Sequence, residues 1–422
     1  MASSLPKPMK LPIPACLFAL GATLSATAED LDTRAWFKGN THTHTLWSDG
    51  NDFPESIVDW YLRHGYHFVA LSDHDILQEG EKWIAVEEIL RRQRALGPNA
   101  IAKAQARFGE DWLRFETRDE KEGVLLRTLE ECREQFEVPG EFYLLKAEEI
   151  SNSAKDGAPV HVNALNLETL IPPIKDPEIS VEETIRRTFV AVREQEEATG
   201  RPILAHLNHP NFRWAVTPQE IAAVAEGGYV EIYNGHPGVN HLGDEERPGE
   251  EAAWDIANTI RIVEMELPPL YGFATDDSHT YHGGDVSPGR GWVYVGSPSL
   301  DGDSLIHAMR RGHFYASSGV ELERISWDAE TRTLSLEIRA VEGVTHTTRF
   351  IGTRAGYDAA AASWAETKIG EVFAEVEGER VSLQMPEDAY FIRATVNSSR
   401  RHPNPSYPGQ MEQAWVQPYG WQ

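Results

Sequence analysis

Cysteine is almost absent, with only Cys16 and Cys132 in 422 residues. Cys16 sits in the apolar stretch near the start, so the rest of the chain holds one thiol and can form neither an internal disulfide nor a thiolate zinc cage. Cys132 stands in the polar run Glu130-Glu131-Cys132-Arg133-Glu134 with no second thiol nearby, and reads as structural rather than catalytic. Positive charge is scarce too: 39 Lys and Arg against 66 Asp and Glu give a net charge of −27. Such a surface repels phosphate backbones and disfavours extended nucleic-acid binding, while a local metal site can still attract one phosphate. Beyond residues 1–28, no run approaches the ~20 apolar residues of a membrane span. There is no G-x-S-x-G elbow, no G-x-x-x-x-G-K-[ST] loop and no Cys-rich zinc pattern, so nothing supports those centres.

What is present begins with a leader. Lys7 and Lys10 precede an apolar run from Leu11 to Leu24, and Ala26-Thr27-Ala28 forms an A-x-A cleavage site. Residues 1–28 therefore read as a signal peptide whose removal leaves Glu29 first, and the protein as exported, periplasmic or secreted. Pro12 and Pro14 argue against a buried helix there.

Residues 29–319 alternate short apolar runs with amphipathic stretches, the pattern of an α/β fold with parallel strands. Strand candidates include Trp36–His42, His67–Ser72, Phe142–Glu148, Val160–Asn166, Ile203–Leu207, Tyr229–Tyr233, Gly272–Thr275 and Trp292–Val295. Ile57, Trp60, Tyr61 and His64 recur at helical spacing, as do Val181, Ile185, Thr188, Phe189 and Val192 behind a Ser180/Glu183 capping-box signal. The charged stretch 78–140 is longer than one crossover needs and reads as a helical insertion with a solvated face. After Gly319 the texture turns to strict alternation, as in Leu334, Leu336 and Ile338, so residues 320–422 predict a small C-terminal antiparallel, β-sandwich-like domain.

Chemistry-bearing residues gather where the apolar runs stop. His42 and His44 are two apart, so on a strand both imidazoles face one side, and Asp49 follows in a loop that Gly50 can turn back. Ser72-Asp73-His74-Asp75 ends the run Phe68 to Leu71, with Asp73 or Asp75 as candidates to orient the His74 ring. Glu148-Glu149, His161, His206 with His209, and Asp276-Asp277 with His279 occupy comparable places, and polar residues at the carboxyl ends of parallel strands are where such folds build sites. One buried histidine is usually a packed core residue; six such positions in a row point to metal.

In this order, H-x-H, S-D-G, S-D-H, E-I-S, H, H-P and D-x-H across residues 42 to 279 resemble the PHP (polymerase and histidinol phosphatase) superfamily. The resemblance implies a distorted (β/α)7 barrel with a trinuclear metal site. It also implies the ligands His42, His44, Asp49, His74, Glu149, His161, His209, Asp277 and His279. Glu149 is preferred to Glu148 because the family's glutamate directly precedes Ile-Ser, and His209 to His206 because its histidine precedes proline. Asp276 competes with Asp277. The segment from Ser304 to Gly319 and the closing Ala414-Trp415 look like the CehA/McbA-type metallohydrolase branch, although Val416-Gln417-Pro418-Tyr419 departs from its usual Asn-Pro-Ile.

Imidazole and carboxylate ligands without thiolate suit Zn²⁺, Mn²⁺ or Fe²⁺, with three ions per chain implied. The function expected is that of a phosphoesterase using a metal-bound hydroxide on a small-molecule phosphate ester. Arg290 is a candidate to balance charge, and His206, His282 and Asp73, with Asn234 and His236, are candidates for pocket, orienting or proton-transfer roles. Trp47 and Trp214 follow ligand motifs and are candidates to wall an apolar leaving group. The same centre would serve a carbamate or ester hydrolase, and a different class altogether is a non-catalytic envelope or glycan-binding protein with structural metals.

Overall fold

A computed structural model describes residues 35–92, 99–359, 361 and 363–421. The signal-peptide reading and Cys16 lie outside these residues. In chain order the first elements are β1 (Ala35–Asn40), α1 (Pro54–Arg63), β2 (Phe68–Leu71), β3 (Trp83–Ala85), α2 (Val86–Arg92), α3 (Ala100–Phe108), β4 (Arg114–Arg118), β5 (Lys121–Leu125) and α4 (Leu129–Phe136). They are followed by β6 (Tyr143–Ser153), β7 (Pro159–Leu165), α5 (Val181–Thr199), β8 (Leu204–Leu207), α6 (Pro218–Ala223), β9 (Tyr229–Asn234), α7 (Glu250–Thr259), β10 (Tyr271–Thr275), β11 (Trp292–Ser297) and α8 (Gly302–Arg310). The rest is β12 (Phe314–Ser317), β13 (Leu322–Asp328), β14 (Thr333–Ile338), β15 (His346–Gly352), β16 (Glu371–Glu377), β17 (Arg380–Gln384), β18 (Ile392–Arg401) and β19 (Met411–Tyr419).

The fold is mixed α/β around one 13-stranded sheet in the order β10-β9-β8-β7-β6-β2-β1-β11-β12-β19-β18-β15-β16. β2 is apolar throughout, and all four of its residues are buried because helices or side chains cover both faces. The pairs β1/β2, β2/β6, β8/β9 and β9/β10 are parallel. β7 runs antiparallel to both β6 and β8, because only residues 154–158 separate β6 from β7 and a parallel return needs a long crossover. The expected (β/α)7 barrel therefore does not appear as such: the pairings among described residues leave the sheet open beyond β10. The chain after β10 still meets the chain after β1 at the site, where a single parallel bridge joins Thr43 to Ser278 and the His44 amide donates to Ser278 O at 3.0 Å.

Local sequence explains the elements that support the site. α1 opens with Pro54 at its first position and buries Ile57, Val58 and Tyr61 against the sheet. α5 buries Val181, Thr184, Ile185, Thr188, Phe189 and Val192, a helical stripe, and stops at Gly200 with φ +70°. Its start is capped on one side only: Ser180 accepts the Glu183 amide, while the Glu183 carboxylate turns to Arg186 and Arg187 instead of closing a capping box.

The 78–140 stretch, expected to be helical, also contains an antiparallel sheet in the order β3-β5-β4. Trp47 is buried beside it with Nε1 donating to Arg127 O at 2.8 Å, which makes this tryptophan packing rather than a substrate wall. Past Gly319 the strands are antiparallel, and β19, β18, β15 and β16 continue the large sheet through β12 while β13, β14 and β17 form a smaller one. β18 reads as alternating, yet Ile392 to Val396 are all buried, because Arg393 and Thr395 meet Glu251 and Asp255 of α7 on the second face.

Candidate metal centre

The nine side chains proposed as ligands converge at one end of the sheet. His42 and His44 leave the end of β1 on the same side, their ring centroids 5.1 Å apart. β6 and β7 overrun the end of β2 as a two-stranded ribbon, so Glu149 and His161 lie inside strands yet level with His74, which bridges to Glu149. Gly50 turns the Asp49 loop so tightly that a Cβ there would lie 2.5 Å from His44 O. Asp75, His209 and Asp277 have φ of +52°, +28° and +48°, a left-handed conformation that costs energy outside glycine and gathers at functional sites.

Glu149 is the hub. Its Oε1 lies 3.3 Å from His42 Nε2, 3.0 Å from His161 Nδ1 and 3.4 Å from His209 Nε2. Its Oε2 lies 3.4 Å from His44 Nε2 and 2.8 Å from His74 Nδ1. Asp277 Oδ1 faces His42, His44 and His279 at 3.2, 3.1 and 3.6 Å. Asp49, half exposed at the mouth, faces His279 at 3.3 Å and His74 at 3.6 Å. Three groupings keep their ligand atoms within 4.8 Å of one another: His44, Asp49, His74 and His279; His42, His44 and Glu149; His74, Glu149 and His161.

The electrostatics fit divalent cations. Burial would raise Glu149 and Asp277, yet the surrounding imidazoles hold both, and half-exposed Asp49 with them, below the usual carboxylate range. Burial opposes charge on His74, but Glu149 and Asp49 outweigh it and hold that ring up at about 11. His44 goes the other way: burial together with His279 and His74 pushes it down to about 4. Buried His42 Nε2, His44 Nδ1 and Glu149 Oε2 have no hydrogen-bond partner although each faces other ligand atoms. A cluster in which protons supply the positive charge and buried lone pairs stay unsatisfied is one that cations complete by displacing protons.

The near neighbours separate clearly. Glu148 points to the other face of β6 and accepts the Ile171 amide at 2.7 Å, as alternation on a strand requires. His206 stacks on Phe273 at 4.7 Å inside the core, where burial pushes it down to about 4. Asp276 accepts the amides of Gly289, Arg290 and Gly291 and the Tyr61 hydroxyl, which shapes the loop after it.

Four candidate catalytic residues do other work. Buried His206 is a core ring. Asp73 does not orient His74; it accepts the Thr45 and Ser48 amides at 2.7 and 3.0 Å and so holds the loop between His44 and Asp49. His282 lies 3.4 Å from Asp52, a carboxylate shared with Lys103. Arg290 spends its guanidinium on Gly235 O, Asp285 O and Asn404, because the Gly-rich loop that carries it has carbonyls to satisfy. His74 Nδ1 is met instead by Ser151 Oγ at 2.6 Å, whose amide is held by Asp75.

Glu231 was not anticipated. It is 1% exposed, its Oε1 sits 2.8 Å from His42 Nδ1, and its Oε2 accepts the His209 amide and Asn234 Nδ2. A carboxylate on Nδ1 fixes the tautomer that leaves His42 Nε2 facing the centre. The sequence signal was available, since Glu231 interrupts the apolar strand Tyr229–Tyr233. Asn208 Nδ2 also donates to Glu149 at 2.9 Å.

Trp214 lies apart, under Arg247 at 4.1 Å, in a pocket of about 280 Å³. A cavity of about 680 Å³ between β1, the end of α1 and β13 is lined by Trp36, Lys38 and Tyr294 and touches none of the nine residues.

No protein-family model and no curated protein matches this chain. Among solved structures it is similar to a two-domain protein from Bacteroides vulgatus described as containing a predicted PHP-like metal-dependent phosphoesterase, at 15% identity over 93% of this chain and 97% of that one, with a TM-score of 0.42. It is also similar to a candidate metal-dependent phosphoesterase from Bifidobacterium adolescentis, at 14% identity over 65% of this chain and 96% of that one, with a TM-score of 0.32.

Proposed function

We propose that the protein is an exported hydrolase of phosphate esters that works with a cluster of divalent metals, three per chain, held by His42, His44, Asp49, His74, Glu149, His161, His209, Asp277 and His279. The observation that carries this reading is Glu149, whose two oxygens divide five imidazoles between them and belong to two of the three ligand groupings. A carboxylate so placed would offer one oxygen to each of two ligand groupings. When bound, such ions lower the pKa of water and balance charge on the attacking and leaving oxygens.

The chain's own residues do the rest. Glu231 and Ser151 hold His42 and His74 by Nδ1. The Asp73-braced loop holds Asp49 at the mouth, where its half-exposed carboxylate is within reach of solvent and substrate. Export rests on the leader sequence.

A second reading, hydrolysis of a neutral carbamate or carboxyl ester, is favoured by one feature. Among the described residues no Lys or Arg lies within 4 Å of the Asp49, Glu149 or Asp277 carboxylates, and Arg290 is committed elsewhere. Fewer fixed cations suit a substrate with less negative charge.

Aryl phosphate, bis-aryl phosphate, aryl ester and aryl carbamate should be offered to metal-replete protein beside a His44→Ala control. Turnover of a phosphate that vanishes in the control is expected. Equal turnover by the control would remove the metal reading, and turnover of the carbonyl compounds alone would select the second one.

A further inference from the structure

Next to the nine residues, six of them histidines, stands a seventh imidazole whose chemistry is set by its backbone. His236 follows β9, and its amide donates to Asn234 Oδ1 at 2.8 Å. The same Asn234 side chain donates to Glu231 Oε2 at 2.8 Å and Asp277 Oδ2 at 3.2 Å. One asparagine thus ties the position of His236 to the centre. The imidazole lies 6.1 Å from the His279 ring and 5.7 Å from Phe212, edge-on to both.

The Gly238 amide donates to His236 Nδ1 at 2.9 Å. An accepting Nδ1 carries no proton, so the neutral ring carries its proton on Nε2. No hydrogen bond within the described residues uses that Nε2, and the ring is only partly buried. Gly238 also makes room for the ring: a Cβ there would lie 2.9 Å from two of its atoms.

We propose that His236 is a substrate-binding residue of the centre, which offers Nε2–H to a non-bridging or carbonyl oxygen of the ester, with Phe212 as the apolar wall beside it. The inference rests on the hydrolase reading and supplies the oxygen-binding donor that Arg290, tied into its loop, does not. A neutral donor aimed at an oxygen that gains charge acts without a proton changing hands.

The test compares His236→Phe, His236→Gln and Gly238→Ala with the parent chain. Four quantities are read: metal atoms per chain, affinity of the metal-replete protein for inorganic phosphate, kcat and KM on the best substrate, and the imidazole ¹⁵N spectrum of the metal-free protein. His236→Phe should keep its metal, lose about 10²-fold in kcat/KM and weaken phosphate binding about tenfold or more. His236→Gln, whose amide N–H can reach the Nε2 position, should stay within about tenfold of the parent. Gly238→Ala should fall between them, and the spectrum should show the proton on Nε2.

Full activity and phosphate affinity in His236→Phe would overturn the inference and leave the hydrolase reading intact. Loss of metal in parallel with activity, or a proton on Nδ1, would overturn it too. A metal-replete parent that neither hydrolyses an ester nor binds phosphate would sink the hydrolase reading and this inference together.

Discussion

Adjacent glutamates on β6 offer a sharp contrast. Glu149→Gln keeps the shape and removes the charge that Oε1 presents to His42, His161 and His209 and Oε2 presents to His44 and His74. Glu149 belongs to two of the three ligand groupings, so on the proposed reading two cations would lose a ligand and one in the third grouping, around Asp49, would not. Loss of an outer-shell partner alone costs 10- to 100-fold in metal affinity, so loss of the shared ligand should cost more than about 10²-fold, roughly 3 kcal/mol, at each. Glu148→Gln is the control. Burial pushes the Glu148 carboxyl up to about 8, so at neutral pH it is already uncharged, and the amide oxygen can still accept the Ile171 amide. Metal should be counted by mass spectrometry after gel filtration in metal-free buffer. From a parent count near three, Glu149→Gln should fall to about one and Glu148→Gln should not change. Loss of metal in the Glu148 variant, or full retention in the Glu149 variant, would refute the hub assignment.

Three further outcomes follow from the same geometry. Burial pushes Glu55 up to about 7 against an ordinary 4.5, so its folded form keeps a proton that the unfolded chain releases; the resulting stability is complete below about pH 4.5 and lost as pH rises through 7. Glu55→Gln should therefore gain up to about 3 kcal/mol over the parent at pH 8 and almost nothing at pH 4.5 in urea unfolding of the metal-free protein, and a pH-independent difference would count against it. Arg393, 1% exposed, holds Asp255 through two bonds of 2.6 Å and Glu251 at 2.9 Å; Arg393→Ala should lose about 3 to 5 kcal/mol by chemical denaturation, and a loss under 1 would show the network is dispensable. Cys132 is fully buried and its thiol is pushed up by burial, so in a Cys16→Ser chain it should react with a thiol reagent only after unfolding; prompt labelling of native protein would contradict the packing around α4.

The ligand pattern was legible because metal chemistry leaves few residue types to choose from and strand spacing fixes which of them share a face. His42 and His44 show this, and so does Glu149 against Glu148, although the choice between that pair came from a resemblance and its physical reason only from β6 facing two ways. His206 and His209 differ for a cause no local pattern carries: one stacks on Phe273, a residue 67 positions away, and the other turns at a left-handed backbone into the centre. Arg290 and His282 follow the Asp277 and His279 motif closely in the chain, yet Gly235 O claims the first and the Asp52 carboxylate lies 3.4 Å from the second, partners no local pattern carries.

By itself the sequence determined the alternation of strands and helices up to Gly319, the antiparallel texture after it, and the set of groups able to bind metal. These follow from periodicity and side-chain chemistry, which are local. Only the tertiary structure decided that β7 runs antiparallel, that among the described residues the sheet stays open beyond β10, that the later strands extend that same sheet, and that Glu231 and Gly238 meet Nδ1 of His42 and His236. Each of those depends on which backbone or side chain arrives from elsewhere in the chain, and no spacing within one segment encodes the arrival.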